Sequence, residues 1–260
     1  MKNGFSLVEL SIVLVILGLL TGGILAGKSL IRAAELRAVT SEYSRYATAI
    51  RTFRDKYFAI PGDFSNAIAF WGEDPNCNSH AAPFTGTLTC NGGGDGLIHA
   101  TRENFNFWRH LANAGLIEGS YSGIAGPGNI NWDSIPGTNV PASKFPSGGW
   151  SALSLTYASN GIFPAITNGS GGYLLNQLQF GGKIADLWTY EAILTPEELW
   201  NIDTKLDDGK PGTGLLVANN WGTCTDAASA AAAATGTPNY RLSTTSAACS
   251  IIFMPRGTGL

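Results

Sequence analysis

Two hydrophobic patterns follow one another at the start of this chain, and both read as helix. From Phe5 to Gly27 the residues are apolar almost without interruption. That is roughly 23 residues, which at 1.5 Å per residue crosses a hydrocarbon core of about 30 Å. Beyond Gly27 the pattern becomes one-sided. Leu36, Val39, Tyr43, Tyr46, Ile50, Phe53 and Tyr57 recur at alternating steps of three and four. They make one apolar stripe, with Glu35, Arg37, Glu42, Arg45, Arg51 and Arg54 falling between its members. Pro61 disfavours helix at Ile60, so the element is predicted to end near Phe58, about 80 Å from Phe5. A free coiled coil would use a longer and less aromatic stripe. The second half is therefore expected to pack on the chain's own distal part.

From residue 61 the helical period is lost. Residues 61–130 mix short helices with loops. Thr101-Arg-Glu-Asn-Phe105 opens a predicted helix that buries Phe105, Trp108 and Leu111 and closes at Gly115. From Pro127 to Gly182, short apolar runs alternate with Gly, Pro, Asn and Ser clusters. The best strands there are Leu153–Tyr157, Gly172–Phe180 and Lys183–Tyr190. Thr195-Pro196-Glu197-Glu198 is a helix start with a threonine cap, and Leu199, Ile202 and Leu206 then form one apolar face. The two glutamates are explained by capping and the helix dipole. Leu215–Asn219 and Cys249–Met254 read as terminal strands, and the alanine run 227–234 as a loop insertion or short exposed helix. The fold class is α+β: a long N-terminal helix on a β-rich head.

Charge narrows the function. Charged residues are 13% of the chain and the net charge is −3. No basic excess exists to hold nucleic acid through its phosphates. Four cysteines, Cys77, Cys90, Cys224 and Cys249, lack metal or redox C-x-x-C spacing and predict two disulfides in an oxidising compartment. Three pairings are open, and nearest neighbours, Cys77–Cys90 and Cys224–Cys249, are the simplest.

The chemistry-bearing residues sit at the N-terminus. A short polar leader with Lys2 precedes Gly4, and Phe5-Ser-Leu-Val-Glu9 places one acid near the start of the apolar run. A carboxylate in lipid costs about 2.5 kcal/mol or more near the centre, so Glu9 asks for a partner. The stretch G-F-S-L-V-E-L resembles the class III signal of type IV pilins and type II secretion pseudopilins. The resemblance covers about the first fifth of the chain. It implies a cut by prepilin peptidase between Gly4 and Phe5, N-methylation of Phe5, and pairing of Glu9 with the N-terminal amine of a neighbouring subunit. It further implies an inner-membrane assembly platform, a lipid bilayer as the environment before assembly, and other pilin or pseudopilin subunits as partners. The protein would be a single-pass inner-membrane protein with a periplasmic head, passing into a pilus or pseudopilus. The expected organisation is a leader 1–4, a transmembrane and filament-core half-helix 5–27, an amphipathic half-helix 28–60 and a head 61–260.

Three other readings compete at this end. An ordinary signal peptide would be cut at Ile24-Leu25-Ala26, a poor small-x-small site, and leaves Glu9 out of place. A plain membrane anchor also gives Glu9 no role. Gly22 to Ser29 fits the phosphate-loop pattern G-x-x-x-x-G-K-[ST], but the apolar run before it is far longer than a strand. The same glycines, as Gly18/Gly22 and Gly23/Gly27, make two helix-packing pairs. Lys28, Arg32 and Arg37 beyond the run oppose export of the distal part, a bias that a long domain overrides.

Calcium is the one cofactor the loops suggest. Asn91-Gly-Gly-Gly-Asp95-Gly96 is part of a calcium-loop pattern, with Gly93 at the third position, Arg102 at the twelfth and Glu103 one step late. A glycine turn beside a disulfide is the favoured reading. Asp207-Asp208-Gly-x-Pro-x-x-Gly resembles a loop of large-headed pilin-like proteins and the acidic calcium loop of the major pseudopilin. An Asx turn needs no metal. His80, His99 and His110 have no ligand spacing, no nucleophile elbow is present, and an enzyme is not expected. Trp132, Trp150 and Trp188 read as core or, in a displayed adhesin or binding module, as a binding surface.

Overall fold

A computed structural model of the chain describes residues 6–77, 82–100, 102–128, 131–155, 175–227 and 238–254. Helix α1 spans Leu7–Tyr57, 51 residues without a break. It stops where the sequence predicts: Phe58 turns into the left-handed region (φ 53°) and its N–H closes on Arg54.

The buried residues of α1 are Val39, Glu42, Tyr46, Ala49, Ile50 and Phe53, with Leu36, Tyr43 and Tyr57 packed at the margin of the same core. Glu42 is the departure from the apolar stripe. Its carboxylate is 5% exposed and accepts from the Ser143 hydroxyl (2.6 Å), the Lys144 N–H (2.8 Å) and the Trp150 indole N–H (2.8 Å). A buried charge with three donors is tolerated, and it fixes the position of α1 against the 143–150 segment.

Five strands form one antiparallel sheet: β1 Gly148–Leu155, β2 Leu175–Lys183, β3 Thr189–Glu191, β4 Leu216–Asn219 and β5 Ser250–Phe253. The order is β1-β2-β5-β4, with β3 pairing β2, so the C-terminal strand lies inside the sheet. Alternation places Trp150, Ala152, Leu178, Phe180, Leu216, Ala218, Ile251 and Phe253 in the core shared with α1. Tyr43 stacks on Phe253 at 4.0 Å between centroids, and Tyr46 meets Trp108 and Trp150 edge-on at 5.0 and 5.3 Å. Val217 and Ile252 face the other way, against Ala227 and Met254.

Three helices pack around this frame, α2 (Ile68–Trp71), α3 (Glu103–Asn113) and α4 (Pro196–Leu206), and a short turn α5 (Trp221–Cys224) follows β4. Helix α3 buries Phe105, Trp108 and Leu111 and is followed by Gly115 at φ 70°, as its pattern predicts. Helix α4 begins with Thr195 and Glu198 in a reciprocal capping box. Both nearest-neighbour disulfides form, Cys77–Cys90 and Cys224–Cys249.

The strand predictions need correction in two places, and the first is that β1 begins at Gly148, five residues ahead of the predicted start at Leu153. The second, Lys183–Tyr190, is two strand ends and a turn, because Asp186 takes φ 60° and the chain reverses between β2 and β3. Parts of the other predicted strands, 156–157 and 172–174, and most of the alanine run lie outside the described residues.

Candidate functional site

The N-terminal half of α1 begins with a capping box. Ser6 is the N-cap; its hydroxyl accepts from the Val8 N–H (3.3 Å), and Glu9 accepts from the Ser6 N–H (2.9 Å). Glu9 therefore points at the start of its own chain, a local role that its place three residues after Ser6 could have revealed. Gly4 and Phe5 lie outside the described residues.

Beyond the cap, the apolar run packs against nothing among the described residues. Leu7, Val8, Leu10, Ile12 to Leu17, Leu19, Leu20, Ile24 and Leu25 are all at least half exposed. The helix is long and apolar enough to cross a membrane, and none of its apolar window is buried in the fold. A Cβ added at Gly18, Gly22, Gly23 or Gly27 would have no neighbour within 4 Å. Gly22 to Ser29 is helix throughout, and the Ser29 hydroxyl bonds back to the Ala26 carbonyl at 2.9 Å. A phosphate cradle needs exposed backbone amides, and here they are spent inside the helix.

Just past this half, a clamp ties α1 to the head. Arg32 donates from Nε to Glu198 Oε1 (2.5 Å), from Nη2 to Oε2 (2.9 Å) and from Nη1 to Glu35 (3.1 Å). Its guanidinium lies over the Phe145 ring at 4.3 Å. The hydrogen bonds to Glu198 raise the Arg32 pKa. Burial pushes Glu198 up, but Arg32 and the Thr195 N–H overcome it and leave the carboxyl below its ordinary value. One of the three cations beyond the apolar run is thus paired with acids of the head.

Asn91, Asp95 and Glu103 are not brought together as a cation site. Asn91 accepts from the Ile68 N–H (3.0 Å), Asp95 pairs with His99 (2.8 Å), and Glu103 accepts from the Gly93 and His99 N–H groups (2.6 and 2.8 Å). The loop is organised instead by Asp63, whose carboxylate receives the N–H groups of Gly94, Asp95 and Gly96. Three amides converging on a carboxylate make an anion nest, the reverse of a calcium loop. Gly94 and Gly96 take φ 74° and 88° to form it, and a Cβ on Gly92 would strike the Gly62 carbonyl at 2.3 Å.

Asp207 and Asp208 gain a partner the sequence reading missed. Asp203, one helical turn earlier on α4, joins them, each offering a carboxylate oxygen within 4.8 Å of the others. Asp207 accepts from the Leu215 and Leu216 N–H groups, and Asp208 from the Lys210 N–H (2.9 Å) and the Thr213 hydroxyl (2.7 Å). Asp203 is fully buried; Oδ2 accepts from the Tyr240 hydroxyl (2.7 Å) and Oδ1 makes no hydrogen bond. Burial pushes its carboxyl up to about 7. A desolvated carboxyl beside two others keeps a proton or takes a cation, so these oxygens suit a small hard cation. The i,i+4 spacing of Asp203 and Asp207 was the available signal.

The remaining candidates are structural. His110 is buried with its Nδ1 accepting from Gly62 N–H (3.0 Å) and Nε2 on Thr89 (2.9 Å), and burial lowers its pKa to about 3, so it is neutral. His80 lies outside the described residues. Trp150 is wholly in the core; Trp132 is exposed and meets the nearly buried Trp188 at 5.7 Å.

Residues 1–25 match a protein family described as the prokaryotic N-terminal methylation motif. No curated protein and no solved structure matches the chain. The matched stretch is the prepilin-type signal of type IV pilins and pseudopilins.

Proposed function

For a chain that opens with the prepilin-type signal, we propose the role of a pilin-like structural subunit, a minor pilin or pseudopilin of a type IV pilus or type II secretion pseudopilus. Prepilin peptidase cuts between Gly4 and Phe5, and Phe5 is methylated. The subunit rests in the inner membrane with its head in the periplasm until the assembly platform adds it to a filament. The observation that carries this reading is the bare apolar half of α1, which none of the described head residues covers. Lipid covers it first, and other subunits' helices afterwards.

Glu9 is the register device. In the membrane it is held by its own Ser6 N–H; in the filament it meets a neighbour's Phe5 amine, and a misplaced subunit leaves a buried carboxylate uncompensated. The four glycines, with open space where a Cβ would stand, give neighbouring helices a close approach. A head of about 200 residues is large for a bulk subunit and favours a minor one, and Glu9 argues against a tip subunit lacking this acid. The role is structural and not enzymatic.

The test is the intact mass of the protein from cells with and without prepilin peptidase. Loss of Met1–Gly4 with one added methyl group, dependent on the peptidase, is expected. A cut near Ala26, or no cut, would overturn the reading.

The Asp203 cluster favours one addition, a calcium ion held by Asp203, Asp207 and Asp208. Calcium should then raise the thermal midpoint of the head and a chelator should lower it, and Asp203→Asn should abolish both shifts. A midpoint indifferent to both reagents removes the ion.

A further inference from the structure

Of the cations that follow the apolar run, the head clamps Arg32 and leaves Arg37 open. Arg32 is spent on Glu35 and Glu198. Arg37 on α1 and Lys205 on α4 are both exposed, and neither side chain has a partner among the described residues. The two line one groove between α1 and α4, together with Leu36, Asn201 and Ile202. No acid is among its described lining residues. The acids of the same two helices are engaged elsewhere: Glu35 and Glu198 on Arg32, and Asp203 on Tyr240. Asp207 and Asp208 accept from the chain that follows α4. Two open cations with no acid between them attract an anion, and Asn201 adds an amide donor. The groove measures about 280 Å³, just under the range of sites that enclose a whole small molecule, so it suits one end of a larger one.

The place of the groove selects the kind of anion. Leu30 and Ile31 are 72% and 62% exposed, so the bare apolar surface ends about 9 Å before Arg37 at the helical rise. A headgroup layer is about 5–8 Å deep. Helical side chains lean toward the N-terminus, and the long stem of an arginine extends that reach, which brings the guanidinium back to this layer. Ala26, Leu30, Ala33 and Arg37 follow at steps of four, three and four. One helix face therefore leads from the groove into the apolar half. A lipid with its phosphate at the two cations can lay its acyl chains along that face. A soluble anion gains nothing from it.

We propose that the groove between α1 and α4 binds an anionic phospholipid, with Arg37 and Lys205 on its phosphate and its acyl chains along Ala26 and Leu30. The site rests on the proposed membrane state of the subunit.

The test places the full chain in vesicles of equal parts phosphatidylglycerol and phosphatidylcholine, extracts it in a mild neutral detergent, and measures the retained lipids by mass spectrometry. A basic group near an anionic surface contributes about fivefold, so the two should enrich phosphatidylglycerol by about tenfold or more. Arg37→Gln combined with Lys205→Gln should bring the ratio near one and leave the thermal midpoint of the head in place, since both side chains are exposed. Lys28→Gln removes a cation from the opposite face of α1 and should leave the enrichment intact. Equal retention of the two lipids by the wild type would overturn the proposal. So would an equal loss with Lys28→Gln, which would make the preference one of diffuse charge. Protein that fails to float with vesicles of phosphatidylcholine alone would overturn the membrane state itself, and the lipid site with it.

Discussion

The two halves of α1 are one unbroken helix with opposite surroundings. Between Leu7 and Ile31 its large apolar side chains stand at least half exposed; between Val39 and Phe53 one face is buried to a few per cent. Backbone geometry is the same in both, so helix propensity does not separate them. What separates them is the distribution of polarity around the axis. A face that is apolar on one side can be buried by a single head, whereas a segment apolar all round needs a solvent or a bundle that surrounds it. The Arg32–Glu198 clamp sits at the changeover. Stability of the head and fitness for the membrane should therefore be separable by mutation along one helix.

The largest effect should come from emptying the buried half. Phe53 is fully buried and meets Tyr57, Phe64, Trp71 and His110. Phe53→Ala should cost about 3–5 kcal/mol of head stability, read by denaturant unfolding, with the membrane-bound fraction unchanged. The converse variant, Leu17→Arg, places a charge in the apolar half and should cost about 2.5–3.5 kcal/mol of insertion. It should shift protein out of the membrane fraction while the midpoint of the head stays in place. If either variant moves both readouts, the two halves are not independent.

Smaller effects sharpen the boundary. Glu42→Gln keeps the shape but turns an amide toward donors that now face the carboxylate, and about 2 kcal/mol of stability should be lost. Arg32→Gln should cost about 1 kcal/mol or less, because its side chain is partly exposed. Its signature is the pH profile. The Glu198 carboxyl is held below its ordinary value, so the clamp's contribution is complete above the unfolded glutamate pKa of about 4.3 and fades as pH falls through the lower folded value. Thermal melts between pH 3 and 6 should show wild type losing this increment and the variant lacking it throughout.

Much of this was legible because it rests on short-range rules. The end of α1 follows from Pro61, the start of α4 from Thr195 and Glu198, and the burial of α3 from the spacing of Phe105, Trp108 and Leu111. The failures were long-range. Nothing local says that Glu42 meets Trp150 over a hundred residues away, or that Asp63 captures the amides of the 94–96 loop. Asn91, Asp95 and Glu103 have a pattern's oxygens, but nearby backbone amides and His99 reach them first. Asp203 carries no signal in the apolar spacing of α4, and folding places it beside Asp207 and Asp208 with one oxygen unmatched among the described residues.

The chain's order of residues by itself determined the long helix, its change of character after Gly27, the prepilin-type signal within residues 1–25, and the α+β class. Each of these depends on periodicity or on neighbours a few positions apart, which a linear pattern records in full. Only the tertiary structure decided which strand lies inside the sheet, which acids are clamps and which converge, and that the Phe58 ring is left exposed at the end of α1. Those outcomes depend on contacts between residues far apart in the chain, where many pairings satisfy the same pattern and close packing around one core selects among them.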